Sequence, residues 1–379
     1  MRGDQLQSRP VNVPILDLTR VRQRIAAQLD ERWRRILDQS SFVLGPEVKE
    51  FESAFASWLG VEACVGLGNG TDALILSLRA LGLKPGDEVI APAFSFFATA
   101  EVVALLGGKV VFCDVDPETL NLSPADVEAR VTARTVGIIG VHLYGRPFDV
   151  DALLDLCRRR HLWLLEDAAQ AHGAEWKGKR VGGFGQLAAW SFYPTKNLGC
   201  FGDGGAVTGN DRALVQQVSS LGNHGQSVRY THVEIGTNSR LDSLQAAVLN
   251  CRLALLDEDN ARRGEIACRY HGALAGVGDL RLIPDPPGVK TVYHQFTVRS
   301  ARRDELMAFL KERGIASAVH YPSPLHHQPA MKGLVEARDE DLPVSTAAAK
   351  EVLCLPVFPE LTNAEVEAVS GAVRAFFGA

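Results

Sequence analysis

The sequence predicts an α/β protein built on a mostly parallel sheet with helices on both faces. Short apolar runs alternate with helix-period segments from Val61 to about Leu165, which is the order expected of a parallel sheet and its covering helices. The chain has 379 residues and is 46% hydrophobic, enough for a large core and for two or three domains. The chemically distinctive stretches fall at the ends of expected strands, where ligands collect in such sheets.

In chain order, Val21, Ile25, Leu29, Trp33 and Ile36 recur at helical spacing among arginines, which predicts an amphipathic helix from Leu18 to about Gln39. A second helix is expected over Pro46–Leu59, with proline in its first turn and Gly60 just past its end. Strands are then expected at 62–66, 88–91, 109–113, 136–141 and 162–165. The helices between them are expected at 72–81, 99–106, 124–130 and 151–160. A strand at 206–208 and a helix at 211–221 follow, then a polar loop over 222–239 and one long helix from Asp242 to about Leu274. A boundary near Asn260 divides a large domain, 1–259, from a small C-terminal α/β domain, 260–379. The small domain is expected to hold a strand in 291–298 and helices at 302–313, 345–353 and 363–377.

The net charge of −5 offers no broad basic field, so nucleic acid is not an expected partner. No apolar run approaches a membrane span, and the polar residues around Arg2, Asp4 and Arg9 give no signal-peptide core, so a soluble, cytoplasmic protein is expected. The seven cysteines form no Cys-x-x-Cys pair and read as reduced thiols; Cys200 stands out because it is close to Lys196. His320, His326 and His327 lie in a proline-rich loop with neither helical spacing nor a paired carboxylate, and no metal site is assigned to them.

The stretch Ser191-Phe192-Tyr193-Pro194-Thr195-Lys196-Asn197-Leu198-Gly199 places one lysine on an apolar-flanked turn. Partial burial there favours the neutral amine, a nucleophile toward aldehydes. Gly66-Leu67-Gly68-Asn69-Gly70-Thr71-Asp72 joins an expected strand to a helix and offers either a single-phosphate site or a plain N-cap by Thr71. Thr71 falls where a dinucleotide fingerprint would have its third glycine. Glu166-Asp167-Ala168-Ala169-Gln170-Ala171-His172-Gly173 puts carboxylates at a strand end beside small residues that leave room for a flat ring. Ala93-Phe94-Ser95-Phe96-Phe97 supplies aromatic rings for stacking. A Schiff-base lysine, a carboxylate for a ring nitrogen, an aromatic platform and a phosphate cup are the parts that pyridoxal phosphate requires.

With these motifs, and with Gly236-Thr237-Asn238-Ser239-Arg240-Leu241-Asp242 and His320-Tyr321-Pro322, the chain resembles the DegT/StrS family of nucleotide-sugar aminotransferases nearly end to end. The resemblance implies the aspartate-aminotransferase fold (type I), with a large seven-stranded sheet domain, and pyridoxal phosphate alternating with pyridoxamine phosphate. It implies that Lys196 anchors the cofactor, Asp167 pairs with its ring nitrogen, Gln170 meets its ring hydroxyl and Phe96 stacks on it. Thr71, Ser191 and the backbone at Gly70 and Asp72 would hold the phosphate, and Asn238 would reach it from the neighbouring subunit of a homodimer. His320 and Tyr321 would lie near the sugar.

The implied reaction moves an amino group from L-glutamate, leaving 2-oxoglutarate, to a keto group on a nucleotide-linked sugar. The branch acting on dTDP-3-keto-6-deoxyhexoses is the most similar, with C-4 or UDP-linked keto sugars as the alternatives. A pyridoxamine-dependent dehydratase is disfavoured because it carries histidine where this chain has Lys196; a non-catalytic regulatory protein is the other rival. Thr195 and His224 stand where glycine and tyrosine are frequent in the family.

Overall fold

The computed structural model describes residues 12–379; the polar stretch around Arg2, Asp4 and Arg9 lies outside the described residues. Its centre is a seven-stranded sheet. The strands are β1 (Ala63–Leu67), β2 (Glu88–Pro92), β3 (Lys109–Cys113), β4 (Thr135–Val141), β5 (Trp163–Asp167), β6 (Leu187–Ser191) and β7 (Gly205–Gly209), in the spatial order β1-β7-β6-β5-β4-β2-β3. Pairings β3–β2, β2–β4, β4–β5 and β5–β6 are parallel, and β7 alone runs against its neighbours β6 and β1. The carboxyl ends of β1, β2, β4, β5 and β6 therefore open on one edge.

Local chemistry sets the covering helices. Leu18–Gln39 begins at Asp17, whose carboxylate accepts from the Thr19 and Arg20 amides, and it buries Val21, Ile25, Leu29 and Ile36. Pro46–Leu59 stops at Gly60, which takes φ 75° without a Cβ penalty. These two helices pack Ile25, Phe51 and Phe55 against Trp190 and Phe192 on one face of the sheet. Leu74, Val102 and Val103 from the helices Gly70–Ala80 and Ala98–Leu105 pack on the other.

The loop expected over 222–239 contains a short hairpin, β8 (Gln226–Val228) with β9 (Thr231–His232), which the lack of a long apolar alternation conceals. The long helix expected to Leu274 is two helices, Ser243–Leu253 and Leu256–Leu274, parted at Ala254 and Leu255. A division near residue 260 therefore falls inside the second of them. Beyond it, β10 (Arg281–Leu282), β11 (Phe296–Arg299) and β12 (Val352–Leu355) form an antiparallel sheet. Against it pack Tyr270, Leu306, Leu310, Val366 and Val369. The strand expected from Thr291 starts only at Phe296, and the helix expected to Leu353 ends at Glu351 and passes straight into β12.

No helix of the described residues is long and apolar enough to cross a membrane.

Candidate active site

A cavity of about 740 Å³ lies at the open edge of the sheet. Among its walls are Gly70, Thr71, Phe96, Asp167, Gln170, Ser191, Lys196, His320 and Tyr321, brought together from five separated stretches of the sequence. Asp167 is the last residue of β5 and Ser191 the last of β6. Lys196 follows on a turn closed by its own amide donating to Tyr193 O at 2.9 Å.

The Lys196 side chain is half-buried, and burial pulls its amine down to about 8, partly opposed by the charge of Asp167. About one molecule in ten then carries the neutral amine at pH 7, against fewer than one in a thousand at an ordinary lysine. Asp167 is 6% exposed and is pushed above the usual carboxylate range, chiefly by burial. The Ala169 amide donates to its Oδ1 at 3.2 Å and Thr99 Oγ1 to its Oδ2 at 3.1 Å, which offsets that push only in part.

At the opposite end, the helix Gly70–Ala80 points its N-terminus into the cavity. Asn69 caps it, accepting from the Asp72 amide at 2.8 Å, so the N-cap is Asn69 and not Thr71. The amides of Gly70 and Thr71 belong to the first turn and have no intrahelical partner. A Cβ on residue 70 would lie 2.7 Å from Ser191 Cβ, so glycine is what lets this turn approach β6. The Asp72 amide, expected at the phosphate, donates to the Asn69 cap, and Asp72 Oδ2 accepts from Asn69 Nδ2 at 3.1 Å.

Gln170 is held at both ends of its amide. Oε1 accepts from the Tyr144 amide at 2.7 Å and Nε2 donates to Tyr321 Oη at 3.0 Å. Tyr321 faces Phe96 with ring centroids 6.1 Å apart, and the Tyr144 hydroxyl donates to His320 O. Phe96 keeps 56% of its surface exposed, leaving a ring face available to a planar ligand.

Asn238 is exposed and lies outside this cavity, beside the hairpin where its backbone bridges Asn223. His172 lies outside the cavity too, packed near Trp190 and Phe192, and burial holds it neutral at about 3. Cys200 is buried, and its thiol is pushed up to about 11, so closeness to Lys196 in sequence does not make it reactive. The carboxylate missing from the sequence reading of His326 and His327 is Asp339, whose Oδ1 meets both Nε2 atoms. The buried Nδ1 of His326 has no acceptor to fix a metal-binding tautomer, and we assign no metal there. The structure adds Ser95, Tyr193, Asp203, His294 and Gln295 to the cavity wall. Of these, His294 and Gln295 sit in a stretch read as a plain strand, and no local motif marks them.

The residues present fit pyridoxal phosphate. A buried carboxylate with few donors has a use for a cationic ring nitrogen, a lowered amine suits an aldehyde, and the open amides of Gly70 and Thr71 beside Ser191 suit a phosphate.

Residues 23–374 match the model of the DegT/DnrJ/EryC1/StrS aminotransferase family. A dTDP-3-amino-3,4,6-trideoxy-alpha-D-glucose transaminase of Streptomyces venezuelae is 45% identical over 96% of this chain and 95% of its own length. A pleiotropic regulatory protein of Geobacillus stearothermophilus is 44% identical over 97% of this chain and 99% of its own. The crystal structure of S. venezuelae DesV in complex with a ketimine intermediate superposes with a TM-score of 0.95 at 44% identity, covering 97% of this chain and 99% of that one.

Proposed function

Since this chain belongs to the DegT/DnrJ/EryC1/StrS aminotransferase family, we propose that it transfers the amino group of L-glutamate to the keto group of a nucleotide-linked sugar, with a dTDP-3-keto-6-deoxyhexose as the best-supported acceptor. The observation that carries this reading is the pairing of a lowered lysine amine with a buried, under-hydrogen-bonded carboxylate in one cavity. The cofactor is pyridoxal phosphate, with the pyridoxamine form as the alternate state. When bound, it supplies a protonated ring that takes up the electron pair released at the substrate carbon.

This chain's residues do the rest. Lys196 Nζ would hold the cofactor and, once freed by the incoming amine, would take the proton from the donor's α-carbon and deliver it to the cofactor carbon that keeps the nitrogen, with the reverse order for the acceptor sugar. Asp167 keeps the proton on the ring nitrogen. Its own raised affinity for positive charge, caused by burial, is what fits it for that. Gly70, Thr71 and Ser191 bind the phosphate, Gln170 holds the ring hydroxyl, and Phe96 covers the ring. His320 and Tyr321 face the sugar.

A homodimer belongs to the same reading. Asn238 is exposed away from its own cavity, and Phe42, Val43 and Leu44, together with Val228, Tyr230, Val233 and Ile235 around the hairpin, expose apolar surface that a second copy would cover. Light scattering should give twice the chain mass, and a monomer active at the wild-type rate would refute the shared site.

The test of the main reading is spectroscopic. Purified protein loaded with pyridoxal phosphate should show a visible Schiff-base band that glutamate bleaches and that a keto sugar restores. A panel of 3-keto and 4-keto sugars on dTDP and UDP would identify the acceptor. The regulatory reading gains support from the Geobacillus relative's name. A protein that never bleaches with any amino donor would overturn the transamination reading.

A further inference from the structure

His294 has no part in the roles assigned above, yet it lines the cavity although it is buried. A chain of amides fixes its tautomer. The carbonyl oxygen of Val292 can only accept, and Asn197 Nδ2 lies 2.9 Å from it, so the amino end of that amide must face Val292. The second Nδ2 hydrogen goes to Asn260 Oδ1 at 3.0 Å, while Asn260 Nδ2 donates to His172 O at 2.7 Å, which fixes the second amide as well. With its amino group committed, Asn197 turns Oδ1 toward His294 Nδ1 at 3.2 Å. An amide oxygen only accepts, so Nδ1 carries the proton and Nε2 is a lone pair.

Burial, followed by the charges of Lys196 and Arg263, holds this imidazole well below the ordinary histidine range, so it is neutral at physiological pH. Nε2 has no protein partner among the described residues. The cavity therefore carries a neutral acceptor on the wall that it shares with Lys196 and His320. Carboxylates and phosphates offer only acceptors to such a lone pair and are repelled by it. A neutral O–H or N–H donor fits it, and the hydroxyls of a sugar are such donors.

We propose that His294 is a substrate-positioning residue whose Nε2 accepts a hydrogen bond from a hydroxyl of the acceptor sugar, its tautomer set by Asn197 and Asn260. The ligand assignment rests on the nucleotide-sugar reading above; the tautomer does not.

The experiment has two arms on the full-length protein. Imidazole ¹⁵N resonances of the apoprotein, assigned by their loss in His294→Gln, should show the Nδ1–H form of residue 294. An Nε2–H form, or a protonated ring at pH 7, overturns the proposal. In the loaded enzyme, with a dTDP-linked 3-keto-6-deoxyhexose as the probe, His294→Phe should raise the sugar KM about tenfold through loss of one neutral hydrogen bond. The glutamate half-reaction, followed by bleaching of the Schiff-base band, should suffer at least about five times less by the same reasoning. His294→Gln, which keeps an acceptor, should recover most of the sugar KM. Equal losses in both half-reactions, or no recovery with glutamine, would show a structural role and overturn the proposal. Wild-type enzyme that bleaches with glutamate but turns over no nucleotide-linked keto sugar would refute the substrate reading and with it the ligand of Nε2. The NMR arm separates that failure from an error in the tautomer.

Discussion

Glu166 and Asp167 are adjacent, both buried and both on β5, yet they live in opposite worlds. Alternation along the strand sends them to opposite faces. Glu166 accepts from the amides of Gly182, Phe184 and Gly185 at 2.8–2.9 Å and faces His142 Nε2 at 3.1 Å. Burial pushes its carboxyl up, but His142 and the amides outweigh that and hold it below the usual range. Asp167 has two longer hydrogen bonds, opens on the cavity and is held above the range. Burial and charge alone thus do not distinguish a functional carboxylate from a structural one. The number of donors already committed to it does.

Four experiments would break or sharpen that contrast. Asp167→Asn should cut turnover on the order of 10³-fold, the scale for removing a preorganised electrostatic partner. It should leave the fold intact. The sign for stability follows from the raised folded pKa: the apoprotein loses stability as pH rises through the interval above Asp167's unfolded value, so the neutral asparagine should make apoprotein slightly more resistant to urea at pH 7. A destabilised Asp167→Asn apoprotein would show that the two carboxylates are alike after all.

Glu166→Ala should do the reverse, costing about 3–5 kcal/mol of stability because three buried amides and the His142 ring lose their partner. Urea denaturation would measure it, and a loss under about 1 kcal/mol would mean that those amides find other partners. Thr99→Val removes one of the two donors to Asp167 and should raise its pKa further, with a fall in turnover of about tenfold or less for a single hydrogen bond. The smallest effect concerns Lys196. Capture of pyridoxal phosphate by apoprotein should accelerate with pH and reach half its limit near 8, where the buried amine loses its proton. A midpoint near the ordinary lysine value would show that the turn leaves this amine solvated.

Most of the sheet is legible in the sequence because its strands are short apolar runs separated by helices with helical periodicity and N-caps such as Ser123 and Asp149. What was hidden had physical reasons. β8 and β9 are only three and two residues long and bury no face, so no alternation shows, and the break at Ala254–Leu255 contains no glycine or proline. β12 follows the helix Pro343–Glu351 without a turn signal. In the site, Asp167 is legible because it follows an expected strand, Lys196 because it sits on an apolar-flanked turn, and Ser191 only through the family resemblance, since the strand that it ends, Leu187–Ser191, is not among those expected. The cap is made by Asn69, one residue before the helix, rather than by Thr71, and it takes up the Asp72 amide. His294 had no legible signal, since its environment is made by Asn197 and Asn260, distant in sequence.

That last contact bears on engineering. Exchanging the C-terminal part of this chain for a relative's is a natural route to a new sugar preference, and residue 260 is the tempting junction. A graft there imports its own residues at positions 260, 263 and 294 and sets two of them against the host's Asn197. Asn197 sits next to the lysine, so a mismatch would be felt at Lys196. Productive hybrids should be those that inherit positions 197, 260 and 294 from a single parent.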